Sequence, residues 1–304
     1  MYTATSPAWP TSRPADQGWI PLALARIDHQ LFDPGQGKPF GWDDHIYFPD
    51  LMRSYGLDCR AEQFAGRRNS FTDMVAATLP RLRSFGERFD IAILTGVTPD
   101  SQPGYPMCYL SEAAADSSLA FAVADQGVIA PFTALYVLAT CARLDGAARA
   151  LLMVMDQSTL LHEQPVPPRL QVTRDSSVAL VLDRGGKLGL VSVPKSFLVS
   201  RSDVTSRFAD EAAAAWAGTG APRVVLCGHG LAAALPRELA ADEVVCAGAG
   251  LPATGVWSLL AGHRPRWQAG GARVLLADFD PDQHRLSTCL VDLHRQPGHG
   301  PGQG

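Results

Sequence analysis

"ADQGVIAPFTALYVLATCARLDG", residues 124–146, is the stretch on which the reading of this chain turns. It is a turn followed by a long apolar helix. Gly127 supplies backbone freedom for the turn, and Pro131 suits the first turn of a helix, where a missing N–H costs nothing. The first N–H groups of a helix lack intrahelical partners, and the aligned peptide dipoles leave a partial positive charge there. A helix start is therefore a favourable place to activate a nucleophile. At this start stand Val128, Ile129 and Ala130, none of which can react.

Outward from this stretch, strands and helices alternate. On the amino side, "SLAFAVAD" reads as a strand, "PGYPMCYLSEAAA" as a helix and "FDIAILTGV" as a short buried strand. Earlier, "SFTDMVAATLPRLRSFG" is a helix that Ser70 can cap, with Asp73 three residues on in a capping-box pattern. "WIPLALARI" is a strand. On the carboxyl side, the strand "ALLMVMDQS" runs into the loop "HEQPVPPR". "SSVALVLDRGGKLGLVSV" reads as a hairpin turning at Asp183–Gly186. The scheme then repeats in shorter form. The helix "VTSRFADEAAAAWAGTG" is stopped by Gly218 and Gly220, and the strand "PRVVLCGHG" ends on His229. "LAAALPREL" is helical, "DEVVCAGAG" a strand and "PATGVWSLLAGH" helical. "GARVLLADFD" and "LSTCLVDL" form a closing hairpin. This alternation predicts an α/β fold with a largely buried mixed sheet, and the repetition predicts a duplicated unit.

The bulk numbers bound the function. At 304 residues the chain can bury a large core, as one large domain or two packed halves. Apolar content of 46% against 18% charged residues places it among globular chains. A net charge of −4 offers no electrostatic footprint for nucleic acid. The basic pairs Arg67-Arg68 and Arg81-Arg83 read as solvated faces. No run of about 18 uncharged apolar residues is present to span a bilayer, and "MYTATSPAWPTSRPADQGW" lacks the apolar core of a secretory signal. The six cysteines, at 59, 108, 141, 227, 246 and 289, show no CxxC spacing and no paired framework. They are expected to be reduced and buried in a cytoplasmic protein. The first seventeen residues are expected to be frayed and the tail "HRQPGHGPGQG" disordered.

One motif competes with this picture. Gly248, Gly250 and Ala253 form a G-x-G-x-x-A between a strand and a helix, the pattern of a dinucleotide-binding turn. No acidic residue follows at the offset of about 20 positions where a ribose would be held. A nicotinamide cofactor is therefore the minor reading.

Four segments read together resemble the thiolase superfamily, especially its β-ketoacyl-acyl-carrier-protein synthase III branch. The first runs from Asp90 to Gln157 through a Thr-Pro-Asp and the stretch quoted above. The others are "RDSSVALVLDRGGKLGLVSV", which looks like the hairpin closing that family's first half, "PRVVLCGHGLAAAL" and "CAGAGLPATGVWSLLAG". The likeness spans residues 18–293. It implies a thiolase-like five-layer αβαβα fold of two pseudo-symmetric halves, 18–172 and 173–295, with a flexible segment at 1–17 and a disordered tail at 296–304. It implies decarboxylative condensation or acyl transfer on thioesters: a Cys at the helix start becomes the acyl-enzyme, while a His and an Asn supply acid–base help and oxyanion stabilisation. No permanently bound cofactor is implied. Coenzyme A or the pantetheine arm of an acyl carrier protein would enter as substrate through a tunnel.

The resemblance carries over unevenly. Anchored on Phe132, the nucleophile position is Ile129, or Val128 with a slip of one residue. His229 matches the catalytic His. Leu251 stands at the catalytic Asn and cannot donate a side-chain hydrogen bond. The family's Gly-rich loop reads "DFDPDQH" at 278–284, where Phe279 and Pro281 are expected to stiffen and fill the space.

His229 thus has two readings, a retained acid–base group or a strand-end His satisfied by backbone. Cys141 lies twelve residues past Ile129 and reads as core. Cys227 and His229, two apart on one strand, would share a face. Asp125-Gln126 and Asp156-Gln157 flank the site, with structural roles expected. Trp42, Asp43, Asp44 and His45 read as a loop cluster whose spacing fits no metal site.

The pattern is similar to the inactive subunit of the heterodimeric alkylquinolone-forming synthase. That likeness implies a non-nucleophilic partner of a homologous condensing enzyme, or a homodimer, meeting its mate through "SLAFAVAD". Alternatives are an active acyl-thioester enzyme (acyltransferase, thioesterase or decarboxylase) using His229 without an acyl-Cys, and a non-enzymatic binder of acyl chains or carrier protein.

Overall fold

The computed structural model describes residues 18–33, 36–59, 61–82, 88–102, 106–113, 119–162 and 164–295. The terminal segments 1–17 and 296–304, and parts of the predicted helices at 83–87, 103–105 and 114–118, lie outside the described residues.

The strands are β1 (Ala23–Phe32), β2 (Lys38–Pro39), β3 (Arg67–Arg68), β4 (Ile91–Gly96), β5 (Leu119–Val123), β6 (Arg149–Asp156), β7 (Asp175–Asp183), β8 (Gly189–Val191), β9 (Lys195–Leu198), β10 (Arg223–Cys227), β11 (Glu243–Cys246), β12 (Ala272–Asp280) and β13 (Arg285–Leu293). The helices are α1 (Asp44–Ser54), α2 (Phe71–Leu82), α3 (Pro106–Ala113), α4 (Ala130–Leu144), α5 (Val204–Ala215), α6 (His229–Ala232) and α7 (Gly255–Gly270). Short 3-10 turns cover Ala61–Phe64, Gly127–Ile129 and Pro168–Leu170.

Strand pairing exposes the duplication. The first half runs β5-β4-β6-β7-β1 and the second β11-β10-β12-β13-β8, with β9 also on β13. In each half two parallel pairings are followed by antiparallel ones. β4 lies parallel to β5 and β6, as β10 lies parallel to β11 and β12; β6–β7 and β12–β13 are antiparallel. β8 links the halves by pairing with both β1 and β13.

The period-2 alternation of the strands builds the layers. In β6, Ala150, Leu152 and Val154 face the central core, while Leu151, Met153 and Met155 face an outer core with Phe71, Met74 and Leu110 of α2 and α3. In β12, Val274 and Leu276 point to the centre, while Leu275, Ala277 and Phe279 point outward to Phe208 and Ala212 of α5. The central core holds α4 and α7, which meet through Phe132 and Trp257 at a ring-centroid distance of 5.3 Å. The five layers are therefore helices, sheet, the α4–α7 pair, sheet, helices. Residues Gly127–Leu144 are long and apolar enough to cross a membrane, but here the helix is packed inside the protein.

The local signals explain several boundaries. Asp73 N–H donates to Ser70 Oγ at 3.1 Å and Ser70 N–H to Asp73 Oδ2 at 3.2 Å, the reciprocal capping box expected for α2. α5 gives way to a turn in which Gly218 has φ +71°.

Other expectations are corrected. β7 and β8 are not a hairpin: β1 lies between them. The turn at Asp183–Gly186 forms, but it carries the chain across the end of β1, where Gly186 sits against the Ala23 carbonyl. β7 pairs with both β1 and β6, and after Asp183 the chain runs on to β8. "LAAALPREL" is helical only to Ala232. The cluster at 42–45 opens α1 instead of lying in a loop. Asp44 is buried, accepts from Gly41 N–H at 2.7 Å and pairs with buried Arg68 at 2.9 Å. Arg68 lies over the Phe40 ring and is no solvated face. Cys108 and Cys246 are exposed, against the expectation that the cysteines are buried.

Candidate functional site

Two carboxylates, one from each half, organise the ends of the central helices. Asp156 is the last residue of β6 and is fully buried. It accepts from Ala253 N–H (3.0 Å), Thr254 N–H (2.8 Å) and Thr254 Oγ1 (2.7 Å) at the start of α7. Burial pushes its carboxyl up to about 6 against the lowering effect of those donors, with nearby Asp175 adding to the rise. This answers the dinucleotide pattern. The N–H groups that would bind a pyrophosphate are spent on Asp156, and Gly250 (φ +96°) packs against Thr173 Oγ1.

The corresponding strand β12 ends on Asp280, also buried. Asp280 Oδ2 lies against Gly127, in the turn that starts α4, where a Cβ would overlap it. Gly127 has φ +54°, so glycine is required there twice over, by conformation and by space. Asp280 Oδ1 accepts from Asp282 N–H (2.9 Å) and Gln283 N–H (3.1 Å), which fixes the carboxylate. Arg169, from the turn Pro168–Leu170, pairs with Asp282 and reaches Asp280 at 3.9 Å. Each half thus sends the last residue of its third parallel strand to the other half's central helix.

Two residues earlier on the same face, Asp278 is buried beneath the start of α6. Its Oδ1 accepts from Phe279 N–H at 2.8 Å, and Gly230 and Leu231 N–H also donate to it. Burial, with the charge of Asp280 adding to it, pushes this carboxyl up to about 7. Gly228 is in the tightest contact with Asp278; a Cβ there would overlap the carboxylate.

The matched positions fall as follows. Ile129 is buried, 1% exposed, at the end of the 3-10 turn, and Val128 beside it is buried too. His229 is exposed and begins α6 instead of ending β10. Leu251 is half-buried, and its carbonyl accepts from Gly255 N–H at 2.9 Å as α7 begins. All three lie where strands β4, β6, β10 and β12 end, the edge at which open α/β sheets place their sites. The end of β12 joins two of them: Asp280 touches the turn of Ile129, and Asp278 underlies α6 and His229.

Two expectations change. Phe279 does not fill the site; period-2 alternation turns it into the outer core, so the carboxylates of Asp278 and Asp280 take the inner face. Cys227 and His229 do not share a face, because the chain leaves β10 between them: Cys227 is buried and His229 exposed. Asp125 is exposed with φ +60°, and its carbonyl accepts from Gln126. Gln157 has the structural role expected: its amide donates to Asn69 O and Ser101 Oγ at 2.8 Å. Asp278 and Asp280 escaped sequence reading as site residues, although the alternation of "GARVLLADFD" already put them on the inner face. Among the described residues, no group of three or more His, Cys, Asp or Glu is arranged to hold a metal ion.

The chain has a thiolase-like α/β fold, and solved structures of ketosynthase III enzymes share it. Pseudomonas aeruginosa 3-oxoacyl-(acyl carrier protein) synthase III superposes with a TM-score of 0.56 at 14% identity, over 91% of this chain and 99% of that one. A variant of Xanthomonas campestris OleA in complex with cerulenin gives 0.61 at 14% identity, over 93% and 99%. The tetronic acid condensing enzyme AbyA1 gives 0.61 at 14%, over 89% and 100%. No protein-family model matches the chain, and no curated protein matches its sequence.

Proposed function

We propose that this chain is the non-nucleophilic subunit of a condensing or acyl-transferring enzyme in biosynthesis, working beside a homologous subunit that carries the acyl-Cys. The carrying observation is the α4 start: buried Ile129 stands where the resemblance puts the nucleophile, with the fixed carboxylate of Asp280 against the same turn. Acyl-Cys chemistry needs a thiolate and then an oxyanion, both negative. Asp280 brings a like charge to that position, and Ile129 offers no atom to acylate. The chain's part is then to complete the dimer through β5, which ends the strand order among the described residues, and to shape the partner's pocket. The acyl thioester of coenzyme A or carrier-protein pantetheine is the partner's substrate, and the assembly is cytoplasmic.

Exposed His229 favours one rival, a thioester enzyme in which it activates water or an acceptor directly. The test purifies the chain alone and co-expressed with the condensing enzyme encoded nearest its gene. Both are then incubated with a panel of acyl thioesters. The expected result is a stable complex, with condensation or transfer only in the complex and no acyl adduct on this chain. Free thiol released by the isolated chain and lost in His229→Ala would establish the rival instead.

A further inference from the structure

The cross-strand cysteines at the second edge of the sheet belong to no part of the site described above. Cys227 and Cys246 are the last residues of β10 and β11 and are register partners in that parallel pair. Register partners point to the same face, and their Cα atoms lie about 4.8 Å apart in a sheet, inside the range of about 4.4–6.8 Å that a disulfide spans. The two thiols also feel each other: Cys246 adds to the burial that holds the Cys227 thiol up. Ala247 N–H donates to Cys227 O at 2.8 Å, so the ladder holds past the pair and fixes its register. Access is asymmetric. Cys246 is exposed on the edge strand, whereas Cys227 is buried beside Leu231 and Ala277.

We propose that Cys227 and Cys246 form a reversible dithiol–disulfide site whose oxidant is a peroxide. The exposed Cys246 thiolate attacks one peroxide oxygen: an S–O bond forms, the O–O bond breaks, and the released hydroxide takes up a proton as water. The Cys227 sulfur then attacks the sulfenic sulfur of Cys246. The S–S bond forms and the S–OH bond breaks, and hydroxide leaves with the Cys227 proton as a second water. Two thiols lose two electrons in total and the peroxide gains them. Burial keeps the Cys227 thiol protonated, so it serves as the resolving partner and the second step is the slow one. The bond would tie the edge strand to β10 immediately before the turn that carries His229.

The test treats the full chain with hydrogen peroxide at low molar excess, alkylates residual thiols and maps peptides without reduction. The expected result is one cross-linked peptide pair joining Cys227 to Cys246, an intact mass lower by about 2 Da, and two of the six thiols protected. Dithiothreitol should restore both. Cys246→Ser, at an exposed position, should abolish the cross-link, while Cys108→Ser should leave it intact. Sulfinic acid at Cys246 with Cys227 still alkylated, cross-linking between chains, or no reaction at Cys246 would each overturn the proposal.

Discussion

Gly127→Ala tests the contact on which the site reading depends. The backbone there has φ +54°, a conformation that costs a residue with a Cβ about 1–2 kcal/mol. The new methyl would also overlap Asp280 Oδ2. A free carboxylate would swing away, but this one is held by Asp282 and Gln283 N–H and is buried. Forcing such a contact adds about 1–3 kcal/mol. The expected loss is therefore about 2–5 kcal/mol, a large share of a stability on the order of 5–15 kcal/mol. Asp280→Ala removes the overlap and leaves the backbone strain. In that background Gly127→Ala should cost only about 1–2 kcal/mol, so the double-mutant cycle should return a coupling of about 1–3 kcal/mol. Urea unfolding of the four proteins, with m-values compared, measures it. Equal costs of Gly127→Ala in both backgrounds would show that Asp280 does not lie on the turn and brings no like charge to oppose a thiolate there.

Ile129→Cys should not become acylated, because its thiol would be buried in a turn that the fixed Asp280 carboxylate contacts at Gly127. It should react with iodoacetamide far more slowly than exposed Cys108, and an acyl adduct by intact mass would refute this. Stability should fall as pH rises from about 4 to 7. Asp156 and Asp278 bind protons more tightly folded, at about 6 and about 7, than unfolded near 3.8, so the native state loses protons in that window that the unfolded state has already lost. At about 1.4 kcal/mol per pKa unit the two amount to about 3 and about 4 kcal/mol. His29, held low by burial, opposes them up to its ordinary value of 6.5, whereas Asp28, Asp73 and Asp183, held below 3.8, exert their effect at lower pH. Unfolding at pH 5 and 7.5 reads the slope, and Asp278→Asn should flatten it; a rise with pH would contradict the assignment. Asp44→Ala should cost about 3–5 kcal/mol by stranding the Arg68 charge, whose side chain is only 6% exposed, and a loss below 1 kcal/mol in thermal unfolding would refute that burial. Ser70→Ala should cost about 0.5–2 kcal/mol through the α2 cap, checked in the same assay.

Much of this protein is local and was therefore legible in the chain. Apolar runs of strand length, the capping pair Ser70 and Asp73, and the proline-led helix from Ala130 reflect dihedral preferences and periodicity, which act over a few residues. The doubled order of strands and helices followed from them, and the thiolase resemblance supplied the layers. That Ile129 and Leu251 carry no thiol, hydroxyl or amide was equally plain, since side-chain chemistry needs no fold to reveal it. Only the tertiary structure decided what stands around them. Asp280 and Gly127 are 153 positions apart, and Asp156 and Thr254 are 98 apart. Their encounters depend on two sheets closing over one pair of helices, and no local preference encodes that distance. The same holds for β1 lying between β7 and β8, and for Cys227 coming beside Cys246, because strand partners are chosen by the burial of whole faces. The sequence alone determined that the reactive-looking helix start at residue 127 carries no nucleophile. The packing of the halves determined that a buried carboxylate stands against it.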